Sequence, residues 1–259
     1  MRYETLRVIK EGAVDWLTLN RPQSLNALNR KMMDELLDYF GGLAEDGSVR
    51  IVAMRGAGRA FCAGWDLKDP AMGPEKLGAG DPTAAFLGAR YASEIVRRMR
   101  RCPQPIVAMV NGAACGGGFA LVAAADIRIA TPSARMNAAF IRIGLSGCDM
   151  GLSYHLPRMV GAAVASELLL TGRFINAQRA LSVGLISEVV AEEKLEEAAR
   201  TYINEMLDTS ALGLRLTKEC LNMNLSAPSL EAASAMEDRN QALCLQSPEF
   251  SQKIGKLVK

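Results

Sequence analysis

The sequence predicts an α/β fold that is followed by a helical C-terminal region. In the first part of the chain, short apolar segments typical of strands alternate with amphipathic segments typical of helices. This alternation indicates an α/β protein with largely parallel strands. From about residue 158 the apolar residues recur at helical spacing, and after residue 192 only helical patterns remain. The 259 residues are enough to bury a large core without metal ions or disulfides.

The strand predictions depend on runs of apolar residues that are short and end in turn-forming residues. They cover residues 13–20 (AVDWLTLN), 49–58 (VRIVAMRGAG), 105–112 (PIVAMVNG) and 126–138 (DIRIATPSARMNA), the last containing one or two strands. Between them, helical periodicity is predicted for residues 30–43 and for an arginine-rich segment just before residue 102.

Capping residues mark helices in the second half of the chain. Residues 161–172 end in a glycine, Gly172, which suits the position after a helix C-terminus. Asn176 is a favourable N-cap for the helix that follows it. Further helices are predicted at residues 192–208, 211–225, 230–245 and 247–259. We therefore divide the chain into an α/β unit, residues 1–195, and a C-terminal helical unit, residues 196–259.

Composition and charge exclude several classes of protein. The net charge of +2 gives no reason to expect nucleic acid or a membrane surface as a partner. Six cysteines without CxxC spacing and a single histidine argue against a zinc site or a disulfide framework, so no metal is expected. The charged N-terminus and the interrupted apolar stretch at residues 105–125 argue against a secretory signal and a membrane span. We expect a cytoplasmic protein.

Three consecutive glycines, residues 116–118, precede an apolar segment, and this run needs a structural or functional explanation. Glycine inside a helix or strand costs roughly 0.5–1 kcal/mol relative to alanine. A glycine turn at a helix start can pack tightly, stabilise an oxyanion or bind phosphate through its free N–H groups. Neither GxGxxG nor the P-loop pattern is present. A second small-residue turn, in residues 58–69 (GRAFCAGWDLKD), favours an oxyanion site formed by two backbone N–H groups.

Four ordered segments carry a resemblance to a known family. They are residues 19–29 (LNRPQSLNALN), 58–69, 105–130 (PIVAMVNGAACGGGFALVAAADIRIA) and 170–190 (LTGRFINAQRALSVGLISEVV). With these segments the chain resembles the crotonase family, the enoyl-CoA hydratase/isomerase group. The resemblance implies a crotonase-like α/β spiral of ββα units and C-terminal helices that build homotrimers, often paired into hexamers. It also implies an acyl-CoA thioester as substrate, with coenzyme A as part of that substrate and no separate cofactor.

The same resemblance assigns roles to individual residues. The N–H groups of Trp65 and Gly117 would form the oxyanion hole for an enolate. The coenzyme A pocket would fall on Leu25, Ala27, Ala63, Trp65, Leu67 and Lys68. Arg21 and Lys68 are candidates for contacting phosphates, although a solvated role explains either, and Asp66 is expected to fix its turn.

The chain departs from the family at the two positions where hydratases carry glutamates. These positions hold Ala120 and Phe140, which can neither activate water nor donate a proton. Asp149 matches the aspartate of the dienoyl-CoA isomerases and 4-chlorobenzoyl-CoA dehalogenases, so we predict it as the catalytic acid or base. A turn-forming role is the alternative for Asp149.

The preferred function is therefore enolate chemistry on an acyl-CoA, either double-bond isomerisation or an atypical hydration. A conventional enoyl-CoA hydratase and a non-catalytic acyl-CoA-binding member of the family remain alternatives. Two features stay outside this interpretation. His155 is expected to be structural, and the arginines of the arginine-rich segment form either a solvated helix face or part of a site for an anionic ligand.

Overall fold

The protein's computed structural model describes residues 3–73 and 80–257, whose strands form two sheets. In chain order the strands are β1 (Leu6–Glu11), β2 (Val14–Leu19), β3 (Ile51–Gly56), β4 (Ala60–Cys62), β5 (Ile106–Val110), β6 (Ala113–Cys115), β7 (Ile127–Ala130), β8 (Arg135–Asn137), β9 (Ile175–Asn176) and β10 (Glu188–Val189). The larger sheet has the order β1-β2-β3-β5-β7-β10, and the smaller one has the order β4-β6-β8-β9.

The helices lie between the strands and then occupy the C-terminal part of the chain. They are α1 (Arg30–Gly42), α2 (Pro82–Arg101), α3 (Gly117–Ala124), α4 (Leu152–Thr171), α5 (Ala177–Ser182), α6 (Leu195–Leu207), α7 (Ala211–Asn224), α8 (Leu230–Leu245) and α9 (Pro248–Leu257). Among the helices in the described ranges, none is long and apolar enough to cross a membrane.

Three successive units repeat one pattern of two strands and a helix. In the pairs β3–β4, β5–β6 and β7–β8, the first strand joins the larger sheet and the second joins the smaller sheet. The helices α2, α3 and α4 follow these three pairs. Pairing is parallel throughout both sheets, except for β1 with β2 and β8 with β9. The predicted spiral of ββα units with a C-terminal helical region is confirmed.

The element α4 consists of two helical parts joined at Gly161, whose φ of +77° and ψ of 163° are not helical. The first part, from Leu152, lies before the predicted residues 161–172, and the second part coincides with them. The predicted termini that follow it agree with the structure. Gly172 ends α4 in the left-handed conformation, and the Asn176 side chain accepts a hydrogen bond from the Arg179 N–H at the start of α5.

The first C-terminal helix packs on the larger sheet. Leu195, Ala199 and Ile203 of α6 are buried in a cluster that includes Trp16 and Val107 from β2 and β5. The predicted boundary between residues 195 and 196 thus falls at the start of a helix that shares the core of the α/β unit. The division into two domains stays a prediction.

The position of the short helix α3 defines the site. All eight of its residues are buried, from Gly117 to Ala124, so its whole surface faces protein. A helix that is apolar all round belongs in a core. Its first backbone N–H groups therefore lie inside the molecule beside the glycine turn, where water cannot freely solvate them.

Candidate active site

The turn that contains Trp65 is held by backbone pairing with the loop before α1. Leu28 donates its N–H to the Gly64 carbonyl oxygen at 2.7 Å, and Asp66 donates its N–H to the Leu28 carbonyl oxygen at 3.0 Å. These bonds form a parallel bridge between Leu28 and Trp65. In such a bridge the neighbours of Trp65 bond to Leu28, so the N–H of Trp65 itself faces the other side. Within the described residues that N–H has no acceptor.

The second N–H group belongs to Gly117, the first residue of α3. Gly116, the N-cap, has φ +50° and ψ −116°, a conformation that glycine adopts readily. A first-turn N–H has no acceptor within its own helix, and it lies at the positive end of the helix dipole. In residues 3–73 and 80–257 the Gly117 N–H meets no acceptor elsewhere either.

Glycine at position 64 lets the two turns approach each other. Gly64 has φ +90°, and a Cβ atom there would lie 2.7 Å from the Cys115 carbonyl oxygen and 3.7 Å from the Gly117 nitrogen. A side chain at Gly117 would likewise stand 3.8 Å from Cδ1 of Trp65. The structure therefore brings together the two predicted N–H donors. Two free N–H groups on adjoining buried turns can stabilise one oxyanion.

An apolar cavity of about 750 Å³ adjoins Trp65. It is lined by Trp65, Leu67, Met72, Ala85, Gly88, Ala89, Ile143, Leu145, Ser146, Cys148 and Asp149. Among these described lining residues, Asp149 is the one acid. The predicted catalytic carboxyl group therefore shares a cavity with the side chain of a predicted oxyanion-hole residue.

The environment of Asp149 makes its carboxyl group a better base. Burial raises its pKa above the ordinary value of 3.8, against the opposing effect of a hydrogen bond from the Met150 N–H to Oδ1 at 2.7 Å. Met150 has φ +45° and the following Gly151 has φ +82°. This turn ends where α4 begins, so the helix start fixes the position of the carboxylate.

The two positions where the resemblance implies glutamates are apolar and lie beside the glycine turn. Ala120 is fully buried in α3, one helical turn after Gly116, whose carbonyl oxygen accepts its N–H at 3.0 Å. Phe140 is buried, and its ring lies 3.3 Å from the place of a Cβ atom on Gly116. Neither position can transfer a proton, so the proton chemistry of this site must use another group.

The predicted coenzyme A residues lie on two neighbouring segments. Leu25 and Ala27 belong to the loop before α1, and Ala63 donates its N–H to the Leu25 carbonyl oxygen at 3.0 Å. Leu67 and Lys68 follow the Trp65 turn and are exposed. The two segments adjoin at the surface, although Ala27 itself is buried, and the Trp65 indole faces the apolar cavity.

A buried asparagine holds this surface in place, and the sequence interpretation missed it. Asn26 adopts φ +55°, and its amide donates to the carbonyl oxygens of Ala57 and Ala60, both at 2.8 Å. Its Oδ1 accepts the Arg21 N–H at 2.9 Å. The only local signal was an asparagine in a loop, the residue type that best tolerates a left-handed conformation after glycine.

An ion pair beneath the same surface accounts for two further residues. Arg21 pairs with Asp66 at 2.8 Å, both side chains being largely buried, and it also donates to the Ala27 carbonyl oxygen at 2.6 Å. Asp66 in turn accepts the Lys68 N–H at 3.2 Å. Asp66 thus fixes its turn as the sequence indicates, and Arg21 is already engaged within the protein.

Comparison with known proteins gives this geometry its context. The sequence model described as enoyl-CoA hydratase/isomerase matches residues 10–255. The chain belongs to the enoyl-CoA hydratase/isomerase family. It is 40% identical over 225 residues to the protein named "Probable enoyl-CoA hydratase EchA12" from Mycobacterium tuberculosis, covering 87% of this chain and 79% of that protein.

The relatives of this chain include proteins named as hydratases and a protein named as an isomerase. The chain is 33% identical over 245 residues to the 1,2-epoxyphenylacetyl-CoA isomerase of Escherichia coli, covering 95% of this chain and 92% of that protein. A crystal structure of an enoyl-CoA hydratase from Mycobacterium smegmatis superposes with a TM-score of 0.90 at 30% identity, covering 98% and 96% of the two chains. Membership in the family is thus compatible with hydration and with isomerisation.

Proposed function

We propose that this family member acts on an acyl-CoA thioester and moves a double bond through an enolate intermediate, with an atypical hydration as the variant of the same chemistry. One observation carries the proposal. The N–H groups of Trp65 and the adjoining Gly117 have no acceptor among the described residues, and Trp65 lines an apolar cavity whose one described acid is Asp149. Leu25, Ala27, Ala63, Leu67 and Lys68 supply the surface for coenzyme A, and no separate cofactor takes part.

The proposed isomerisation needs one proton-transfer group. The Asp149 carboxylate removes a proton from C2 of a 3-enoyl thioester, and the electrons of that C–H bond form a dienolate whose oxygen accepts the two N–H groups. The carboxylic acid then returns the proton to C4, which leaves a 2-enoyl thioester and regenerates the carboxylate. A raised pKa suits this shuttle because the carboxyl group must both accept and donate the proton.

Conventional hydration is the second candidate, and the names of the hydratase relatives favour it. It requires one group to activate water and one to protonate carbon. Ala120 and Phe140 supply neither, so a conventional hydratase would need a second acid besides Asp149, which the described cavity lining does not provide. A non-catalytic acyl-CoA-binding protein is the third candidate, and it predicts binding without turnover.

Product analysis in D₂O distinguishes these candidates. We would incubate the protein with 2-enoyl, 3-enoyl, 3-hydroxyacyl and saturated CoA esters and measure product masses and double-bond positions. The proposal predicts a shifted double bond, with deuterium incorporated to the extent that the proton held by Asp149 exchanges with solvent before it is returned. Addition of water to the 2-enoyl ester at a rate matching that of a hydratase would contradict isomerisation as the main reaction. Binding of esters without any exchange or conversion would indicate a binding protein.

Small side chains on α2 leave room for a bulky acyl group. Ala85, Gly88 and Ala89 line the cavity from one face of that helix, and a Cβ atom on Gly88 would meet nothing within 4 Å. We predict that Ala85→Leu lowers kcat/KM for long or aromatic acyl groups by roughly tenfold or more while sparing four-carbon esters. The exposed neighbour Ala84 provides a matched control, because Ala84→Leu adds the same side chain outside the cavity. Equal losses for short and long esters would contradict this assignment.

Assembly into a homotrimer or hexamer is part of the proposal. The C-terminal helices α7 and α8 and the residues between them expose large apolar side chains that a partner subunit would cover. These are Leu221, Met223, Leu225, Leu230, Leu243 and Leu245. Light scattering would give the mass in solution, and a monomer would contradict this part of the proposal.

A further inference from the structure

A second cavity, of about 350 Å³, lies between α2 and α4 on the other side of the turn that carries Asp149. It is lined by Ser93, Val96, Arg97, Arg100, Arg101, Met150, Gly151, Tyr154 and His155. Three of these residues are arginines, and no acid is among these described residues. The proposed isomerisation uses none of the polar groups that line this cavity.

A single carboxylate, that of Glu94, forms ion pairs with three arginines of α2. Glu94 accepts from Arg97 at 2.6 Å, from Arg98 at 3.3 Å and from Arg101 at 3.5 Å. Arg97 also donates from Nη2 to the Arg90 carbonyl oxygen, whereas its Nη1 has no acceptor within the described residues. A single negative charge therefore faces three positive charges on this helix.

A second carboxylate is shared in the same way. Asp126 pairs with Arg100 at 2.7 Å and with the buried Lys218 at 2.9 Å. Arg158 adds a further cation next to the cavity, where its guanidinium lies over the Tyr154 ring at 3.7 Å from the ring centroid. The charge around the cavity is thus strongly positive, although the net charge of the whole chain is only +2.

His155 is the polar group buried most deeply in the cavity wall. Its relative exposure is 9%, its ring contacts Tyr154 edge-on, and its side chain makes no hydrogen bond with a described residue. Burial and then the cations of Arg100, Arg128 and Arg158 lower the pKa of His155 to about 4, although Asp126 acts in the opposite direction. At neutral pH the imidazole is therefore neutral and carries one N–H donor.

These features complement a small anion. The positive charges around the cavity, which disfavour a charged imidazole, attract a negative ligand. Arginine N–H groups match the oxygens of carboxylates and phosphates in geometry. Arg100 is already bonded to Asp126, Asn222 and the Ala124 carbonyl oxygen, so it supplies charge and not a free donor. The donors available to a ligand are Nη1 of Arg97, the Ser93 hydroxyl and the His155 N–H, with Arg101 at the exposed rim.

We propose that this cavity binds a small oxyanion, a phosphate, sulfate or carboxylate group, between Arg97 and His155. The anion is either a free ion or a carboxylate at the far end of an acyl group, because α2 lines both cavities and Ser93 lies one helical turn after Ala89. The assignment does not depend on the proposed isomerisation.

The presence of a single histidine permits a direct test by NMR. The chain has one imidazole, so its Cε1–Hε1 signal is unambiguous. At pH 7 we would titrate the protein with sodium sulfate, phosphate or acetate, with sodium chloride at equal ionic strength as the reference. We expect saturable shifts for the oxyanions beyond those for chloride. Saturating sulfate should also raise the pKa of His155 by about 1 or more, because an anion nearby favours the imidazolium.

Two variants with the same charge change test the location of the site. Arg97→Gln should weaken sulfate binding at least tenfold, whereas Arg90→Gln, on the same helix but outside the cavity lining, should leave it unchanged. Linear shifts that equal those of chloride, or equal losses in both variants, would overturn the site. Should Arg97→Gln fail to fold, the titration of the unaltered chain still decides.

The origin of the anion follows from competition. A CoA ester with a carboxylate at the end of its acyl chain should displace sulfate if the cavity receives the acyl group, whereas its methyl-capped counterpart should not. If the carboxylate ester and sulfate bind independently, the site serves a free anion. Failure of the isomerisation proposal would leave these NMR signals unaffected, so the two proposals fail separately.

Discussion

Replacement of Asp149 by asparagine is expected to lower turnover of the CoA thioester by roughly 10²–10⁴-fold, the usual contribution of a positioned acid–base group. The amide oxygen can still accept the Met150 N–H, so the turn should keep its geometry. Affinity for the substrate should change little because the proposed coenzyme A surface lies on other segments. Steady-state kinetics and a binding titration measure the two effects separately. Full activity of Asp149→Asn would exclude the proposed shuttle.

The control for this variant is Asp69→Asn. Asp69 caps the short helix Pro70–Met72 through the Ala71 N–H and does not line the cavity. It undergoes the same chemical change, and asparagine caps equally well, so activity should be retained. A comparable loss in both variants would indicate a general electrostatic effect instead of a role specific to Asp149.

The raised pKa of Asp149 predicts how activity and thermal stability should depend on pH in the unaltered enzyme and in Asp149→Asn. The unaltered enzyme should lose activity as pH falls through a pKa above 3.8, because a protonated carboxyl cannot act as the base. Folding favours the protonated form of a buried carboxyl group, so its ionisation opposes folding above the unfolded-state pKa. Asp149→Asn should therefore unfold at the same or a higher temperature at pH 7. Thermal unfolding at pH 5 and pH 7 would check the sign.

The second large effect is expected at Gly117. Two substitutions there help to distinguish the effect of removing the N–H group from the effect of adding a side chain. Gly117→Pro removes the N–H, and proline is well tolerated at the first position of a helix. Gly117→Ala keeps the N–H but places a Cβ 2.8 Å from Cδ1 of Leu28 and 3.2 Å from Sδ of Met150, as proline also would. The proline variant should be slower than the alanine variant by roughly 10²–10³-fold or more, because it loses one oxyanion donor and its Cδ atom also occupies the space where the oxyanion would bind.

Comparison of kcat between these two variants is the measurement, and circular dichroism with thermal unfolding shows whether both fold. Equal kcat values in two folded variants would show that the Gly117 N–H does not stabilise the transition state. If both variants were slower than the unaltered enzyme by the same factor, the loss would instead reflect displacement of the Leu28 and Met150 side chains.

The long elements of this fold were predictable from the sequence, and the shortest were not. Strand β5 is an apolar run of five residues, β3 begins with four apolar residues, and α8 spans the predicted residues 230–245 without change. The strands of the smaller sheet have two or three residues each, too few to display an alternating pattern. Strand β8 lies within the predicted segment 126–138, whereas β4, β6 and β9 carry no local signal, and the pairing of all four joins segments that are far apart in the sequence.

The candidate site divides in the same way. The glycine turns were visible because close backbone approach requires glycine, whereas Asp149 was predicted through the resemblance to the family. The supporting role of Asn26 depends on carbonyl oxygens of residues 57 and 60, more than thirty positions away. The positive charge around His155 likewise comes from arginines of α2, β7 and α4 together. Spacing along the chain cannot show how many cations share one carboxylate.

The complete burial of α3 ties the chemistry of this protein to its folding. A helix without an exposed face cannot open or shift by itself, because any movement would also separate the strands and side chains packed around it. The direction of its first N–H group is thus protected by the cooperativity of the entire α/β unit. Evolution can exchange the side chains that line the cavity and so change the reaction, while the backbone proposed to stabilise the anion is inherited with the core itself.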